Sequence, residues 1–574
     1  MNRFVKRKFK AETVGHGYLE LLSMRGIDYF FGNAGTDFVS IVEAFARRKA
    51  EGKERPRPLA VPHEIPLVGM AQGYYLVTGR PQAAMVHVNV GTANALGGLM
   101  TARHARVPIL FNAGRTPITE DGHPGSRSGQ IHWGQESFDQ GGLVREYVKW
   151  DYELRMPSQL ETVVDRALAM AMSEPRGPVY LTFPREVMVS PLGEVEFHED
   201  PRHDLPTFYP DPARIQEAAD LLGRAKFPLV ITSSLGRSPI AVKSLIDLAE
   251  AGSIGVISFC AEYMNFPVDH PCYLGLSPAP YFDRADAILV IDCDVPWFPK
   301  MFKPKDSAFV IQAGIDPLYS RYPVRSFPSD LTLQGDPALV LTRLTEIIKR
   351  DSGGEGERTE QRRAELSQAH DKILNNRQES AMKVAHDSPL DPIWVSHQLN
   401  RVLGEETVVV NEYHNAVPEQ CQFSPGNYFG SPHAGYLGWG LGTALGVKLA
   451  SPDKTVIATV GDGTYMFSVP SACHSVSASY DLPILVIVYN NRCWNAVKRS
   501  TQAVFPDGIA AKGNLYPLSD LGPSAHYEKI CEAFGGYGER VESPDQVGPA
   551  LDRALQVVRH EKRQALLNMI CKIP

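Results

Sequence analysis

Short apolar runs alternate with longer amphipathic stretches along almost the whole chain. "AAMVHVNV" (Ala83 to Val90) predicts a strand, "GTANALGGLMTARHA" a helix and "VPILFNAG" the next strand. The pattern returns in "PLVITSS", "ADAILVIDCD" and "SAFVIQAGI", and again in "ETVVVNEY", "KTVIATVGDG" and "LPILVIVYNN". Strands spaced by helix-length segments predict parallel sheets covered on both faces. Pro66 and the apolar run behind it announce a further helix in "VPHEIPLVGMAQGYYLVTG", with one acid, Glu64, at its mouth.

Two stretches break the pattern. "EVEFHEDPRHDLPTFYPDPAR" (Glu194 to Arg214) is polar and rich in proline, which reads as a linker. "RDSGGEGERTEQRRAELSQAH" (Arg350 to His370) is glycine-rich and then highly charged, a second linker running into a polar helix. They divide the chain into units 1–190, 212–349 and 371–574, each of a size that suits one domain. The expected fold class is therefore α/β: three doubly wound domains on mainly parallel sheets. Ligands in such sheets gather at the carboxyl ends of strands.

Composition removes several function classes. The 574 residues carry a net charge of -7, which argues against a general nucleic-acid binder. The longest apolar runs, such as Leu482 to Tyr489, fall short of a membrane span. The basic start "MNRFVKRKFK" lacks the apolar segment of a signal peptide. Eight cysteines include no CxxC pair, so neither a disulfide framework nor a zinc site is expected. A reduced, cytoplasmic setting without nucleic-acid or membrane partners is the expectation.

Candidate chemistry falls at strand ends. "TVIATVGDGTYMF" places Asp462 after an apolar strand, between Gly461 and Gly463. One crossover later a second strand ends at Asn490 and Asn491. If those strands are neighbours, a carboxylate and amide oxygens meet, a hard ligand set for Mg²⁺ or Ca²⁺. The two glycines would let the backbone approach a phosphate. A plain Asp-Gly strand-to-helix turn would leave the same local sequence. The run Gly438, Gly440, Gly442 invites a nicotinamide-dehydrogenase reading, weakened because it precedes the strand "TVIATV".

"GDGTYMF…LPILVIVYNN" resembles the signature of thiamine diphosphate enzymes, with a gap slightly longer than in many members. The resemblance implies Mg²⁺ ligation by Asp462, Asn491 and the backbone carbonyl of Cys493, and a diphosphate contact at Thr464. It places Leu437 where the family has the bulky residue that bends the cofactor. Glu64 fits the family's activating glutamate, which shares a proton with the pyrimidine ring. A carboxyl group in apolar company, here Val61, Ile65 and Leu67, suits that task. His63 stands just before it.

"VHVNVGTANALGG" is similar to the benzoylformate decarboxylase pattern and makes His87 a proton donor. "HWGQESFDQ" looks more like acetolactate synthases and makes Gln135 a cofactor-facing residue. The middle unit shows no flavin motif, so FAD is not expected and a structural role is preferred. Trp494, Val497, Phe505 and Tyr516 are candidate pocket residues in the segment after Asn491. Together the resemblance implies a thiamine diphosphate and Mg²⁺ enzyme acting on a 2-oxo acid, by decarboxylation or carboligation. Its active sites would lie between subunits of a homodimer or homotetramer. A catalytically silent, nucleotide-binding regulator is the remaining alternative.

Overall fold

The computed structural model describes residues 5–201, 203, 205–351, 357–413 and 416–573. Three all-parallel sheets dominate it. The first orders its strands Arg57–Ala60, Tyr29–Gly32, Ala83–Val86, Leu110–Arg115, Val179–Pro184 and Asp151–Glu153. The central sheet runs Gly255–Ser258, Pro228–Thr232, Ala287–Ile291, Phe309–Gly314, Leu331–Gln334. The third runs Tyr428–Gly430, Thr407–Glu412, Thr455–Gly461, Leu485–Asn490, Ala565–Ile570, Tyr537–Val541. The α/β expectation, with three doubly wound units, is met.

Helix Glu64–Thr78 shows how local sequence sets an element. His63 caps its start, its Nδ1 accepting the Ile65 N–H at 3.2 Å. Gly79 ends it in the left-handed conformation, at φ 66°. The apolar run between is buried against the first sheet and against helix Trp439–Ala450 of the third unit. These helices meet through glycine. A Cβ on Gly73 would lie 2.1 Å from the Thr443 carbonyl oxygen, and one on Gly446 2.1 Å from that of Met70. The first and third units thereby share one apolar core, while the central sheet keeps its own.

Two sequence expectations need correction. The strand read over Ala83–Val90 stops at Val86; His87 caps helix Val88–His104, which takes in the valines. Burial overrides the β-propensity of that valine-rich turn: Val88 is 2% exposed. The first linker is also partly ordered. Pro191–His198 is a strand paired antiparallel with Lys6–Thr13, largely exposed and therefore without the apolar signature of a core strand. Helix Glu357–Lys383 is the polar helix expected after the second linker, and its Leu366 is anchored in the central core.

All eight cysteines are free, in line with the expected absence of a disulfide framework. Among the described residues no helix is long and apolar enough to cross a membrane.

Candidate active site

The strands bearing Asp462 and Asn491 are neighbours, with Gly461 opposite Tyr489. Asp462 opens helix Asp462–Phe467 and is 3% exposed. Its Oδ1 accepts the Gly463 N–H at 2.9 Å and its Oδ2 the Arg492 N–H at 2.6 Å. Asp462 is thereby laid against the turn Asn491–Cys493. Asn491 Oδ1 accepts the Cys493 N–H at 3.0 Å. Asn490, by contrast, binds Asn568 Oδ1 at 3.0 Å and belongs to the sheet. Burial pushes the Asp462 carboxyl up to about 6, against the backbone N–H groups of Gly463 and Arg492 and the charge of Arg492, which act to lower it. A buried carboxylate, an amide oxygen and a turn carbonyl make a donor set that fits a hard divalent cation. Thr464 is buried in the first turn of the same helix.

Leu437 is half-buried in the loop that leads into helix Trp439–Ala450. Sequence reasoning passed over what holds that loop. Glu412, at the end of its strand, accepts the backbone N–H of Gly438 at 2.9 Å and of Gly440 at 2.6 Å. Burial raises its carboxyl to about 8. It caps from a distance a helix start that has no capping side chain of its own.

In the first unit Glu64 is 7% exposed at the first position of its helix. Asn94 Nδ2 donates to its Oε2 at 2.5 Å, and His63 Nδ1 lies 4.0 Å from the same oxygen. Among the described residues no hydrogen bond engages Oε1. Asn94 lies inside the stretch "GTANALGG", where nothing in the sequence singles it out as a partner of Glu64.

His87 sits at the carboxyl end of strand Ala83–Val86, between two partners. Its Nδ1–H donates to Asp37 Oδ1 at 2.6 Å, and Gln135 Nε2–H donates to its Nε2 at 3.1 Å. The Asp37 hydrogen bond, aided by the charges of Asp37 and Glu64, raises its pKa against the opposing effect of burial. Gln135 Oε1 is buried without a partner. Turning that amide over would present Oε1 to a proton on Nε2, so Gln135 can follow either protonation state. Asp37 was missed because its partner lies fifty positions away. Glycines make room for the pair: a Cβ on Gly35 would meet the imidazole at 2.1 Å, and one on Gly114 would meet Asp37 Oδ2 at 1.9 Å.

The structure thus assembles two clusters per chain, one around Glu64 and His87 and one around Asp462. Among the described residues no hydrogen bond or ion pair joins them. In the segment after Asn491, the Trp494 ring lies over Gly463, where a Cβ would come within 2.2 Å of it. Val497 and Phe505 are exposed, and Lys498 Nζ stands over the Tyr516 ring at 5.4 Å. A separate cavity of about 350 Å³ lies at the carboxyl ends of the central strands. It mixes Glu262 and Asp294 with Arg103, Arg106, Arg237 and Arg321.

Two carboxyl-end clusters on flanking parallel sheets, one able to take a cation and one built on a buried glutamate, define a cofactor-dependent enzyme. Comparison with known proteins supplies the family. The N-terminal thiamine pyrophosphate-binding domain matches residues 12–143, the central domain 215–344 and the C-terminal binding domain 414–569. The chain belongs to the thiamine pyrophosphate enzyme family. It is 27% identical to a benzoylformate decarboxylase of Pseudomonas aeruginosa, over 85% of this chain and 87% of that protein. It is 23% identical to the large subunit of acetolactate synthase isozyme 3 of Escherichia coli, over 94% and 91%. The crystal structure of benzoylformate decarboxylase from Polynucleobacter necessarius superposes with a TM-score of 0.78 at 21% identity, covering 98% of this chain and 99% of that one.

Proposed function

We propose that this thiamine diphosphate-dependent enzyme cleaves the bond between the carboxyl and carbonyl carbons of a 2-oxo acid without oxidation. The observation that carries the reading is His87, an imidazole held by Asp37 and Gln135 with its pKa raised. Thiamine diphosphate, when bound, supplies a carbanion that adds to the substrate ketone and a ring that accepts the electron pair as carbon dioxide leaves. Glu64 Oε1 would share a proton with the pyrimidine ring, while Asn94, which also reaches His63 Nε2, fixes its other oxygen. Asp462, Asn491 and the Cys493 carbonyl would hold Mg²⁺, and Gly461, Gly463 and Thr464 would accommodate the diphosphate. Leu437 would pack against the bound cofactor. His87 delivers the proton from Nε2 that turns the remaining fragment into an aldehyde, and Gln135 turns its amide to follow it. The reaction is redox-neutral and does not call on FAD.

A second reading, carboligation of two 2-oxo acids, is favoured by Gln135 beside His87 and by the likeness to the acetolactate synthase subunit. The units 1–190, 212–349 and 371–574, a cytoplasmic setting and a homodimer or homotetramer belong to the same proposal. Exposed Ile131, Trp133 and Phe138 on the first unit, and Met466, Phe467 and Phe505 on the third, support assembly. Each site would then take Glu64 from one copy and Asp462 from another.

The test is carbon dioxide release from aliphatic and aromatic 2-oxo acids, with and without thiamine diphosphate and Mg²⁺. Cofactor-dependent release with an aldehyde product is expected. Coupled products without free aldehyde would select the second reading, and no cofactor-dependent turnover would refute both.

A further inference from the structure

The wall of the His87 pocket contains a charge that the proposed mechanism does not use. Beside His87 and Gln135, the residues Thr36, Asp37, His132 and Arg185 line a narrow crevice that is closed to water in this structure. Thr36 and Asp37 follow strand Tyr29–Gly32, Arg185 follows Val179–Pro184 with two strands between them, and His132 lies on the loop above these carboxyl ends, where such sheets receive ligands. Arg115 also reaches the crevice, but Glu136 at 2.9 Å and Glu153 at 2.7 Å neutralise it. Asp37 is engaged by His87. Arg185 differs. It is half-buried, and among the described residues its Nε is buried without a partner and its side chain makes a single long contact, 3.5 Å to Ser128 Oγ. Among the described residues no carboxylate lies within ion-pair distance of it. Its charge reaches the crevice, because it is the leading charge that keeps His132 below its ordinary pKa, after burial itself.

A half-buried guanidinium with no acid beside it, next to the proton-donating histidine, wants an anion. The departing carboxylate is a poor occupant. Holding it in an ion pair would stabilise the ground state that the reaction must leave. An anionic group that survives the reaction suffers no such conflict.

Resting on the proposed 2-oxo acid chemistry, we infer that the substrate carries a second anionic group, a carboxylate or sulfonate, which Arg185 binds. Arg185 is then a specificity-determining residue. Its planar fork offers two parallel donors, to a carboxylate or to two sulfonate oxygens.

The experiment compares 2-oxoglutarate with its five-carbon monoanionic match, 2-oxopentanoate, and 3-sulfopyruvate with pyruvate. Wild type and the variants Arg185→Gln and Arg185→Lys are assayed with thiamine diphosphate and Mg²⁺ present. Wild type should favour at least one dianion in kcat/KM by roughly tenfold or more, the scale of one charge-assisted hydrogen bond. Arg185→Gln should erase that preference through the dianion's KM, and Arg185→Lys should restore part of it. Whichever pair shows the preference identifies the anion. Calorimetric binding of unreactive glutarate against pentanoate supplies a readout independent of turnover. Turnover without a dianion preference, or a preference that survives Arg185→Gln, overturns the inference and leaves the proposed function standing. Absence of any 2-oxo acid turnover, with glutarate binding still dependent on Arg185, refutes the function and keeps the anion site.

Discussion

Glu64 and His87 stand at the starts of consecutive helices of the first unit, and each has a partner that the fold delivers. Asn94 occupies Glu64 Oε2, and the proposed function assigns Oε1 to the cofactor's ring. Glu64→Gln should cut turnover by roughly 10²–10⁴-fold, the usual worth of a positioned proton donor or acceptor. Cofactor titration of the same variant should still show binding. Near wild-type turnover would end the activation argument.

Asp37 sets the charge of His87. A histidine raised by a carboxylate contributes stability that is complete below its unfolded value and is lost as pH rises through its folded one. Catalysis follows the same sign, since donation from Nε2 fails once the proton is gone. In Asp37→Asn the alkaline limb of the kcat/KM profile should move to lower pH; an unmoved limb would separate Asp37 from the chemistry. Both partnerships were invisible in the sequence for one reason. Asp37 and Asn94 lie fifty and thirty positions from the residues they serve, and only the sheet brings them together.

At the scale of elements, the helix crossing between Glu64–Thr78 and Trp439–Ala450 couples the two cofactor-binding units. Gly73 and Gly446 permit it by backbone contact alone. Gly446→Ala should push the helices apart and cost about 1–3 kcal/mol, the range for overpacking a core. A thermal melt reads the loss, and an unchanged midpoint would mean that the crossing relaxes freely. Element type was legible wherever burial was two-sided: "TVIATV" and "LPILVIV" are the strands Thr455–Gly461 and Leu485–Asn490. It failed where sequence and environment disagree. The valines after His87 read as a strand yet open a helix, and the exposed strand Pro191–His198 read as a linker. Asp462 and Asn491 could be placed together beforehand because a right-handed crossover joins adjacent strands. Glu412 could not, because its target is a loop with no regular spacing.

At the scale of the whole molecule, the proposed function makes the Glu64 and Asp462 clusters of one chain halves of sites that two copies complete. Chelation should abolish turnover and lower the melting midpoint measured with thiamine diphosphate present, and Mg²⁺ should restore both. Chelator-resistant activity would dismiss Asp462 and Asn491 as ligands. The halves themselves are tested by complementation. Glu64→Gln and Asp462→Ala should each be inactive alone. Co-expressed, they form mixed dimers in which one site combines both lesions and the other has neither. Activity should return to about a quarter of wild type, because half the dimers are mixed and one site in two is intact. Activity no higher than that of the separate variants would place Glu64 and Asp462 in one chain's site and contradict the shared-site account.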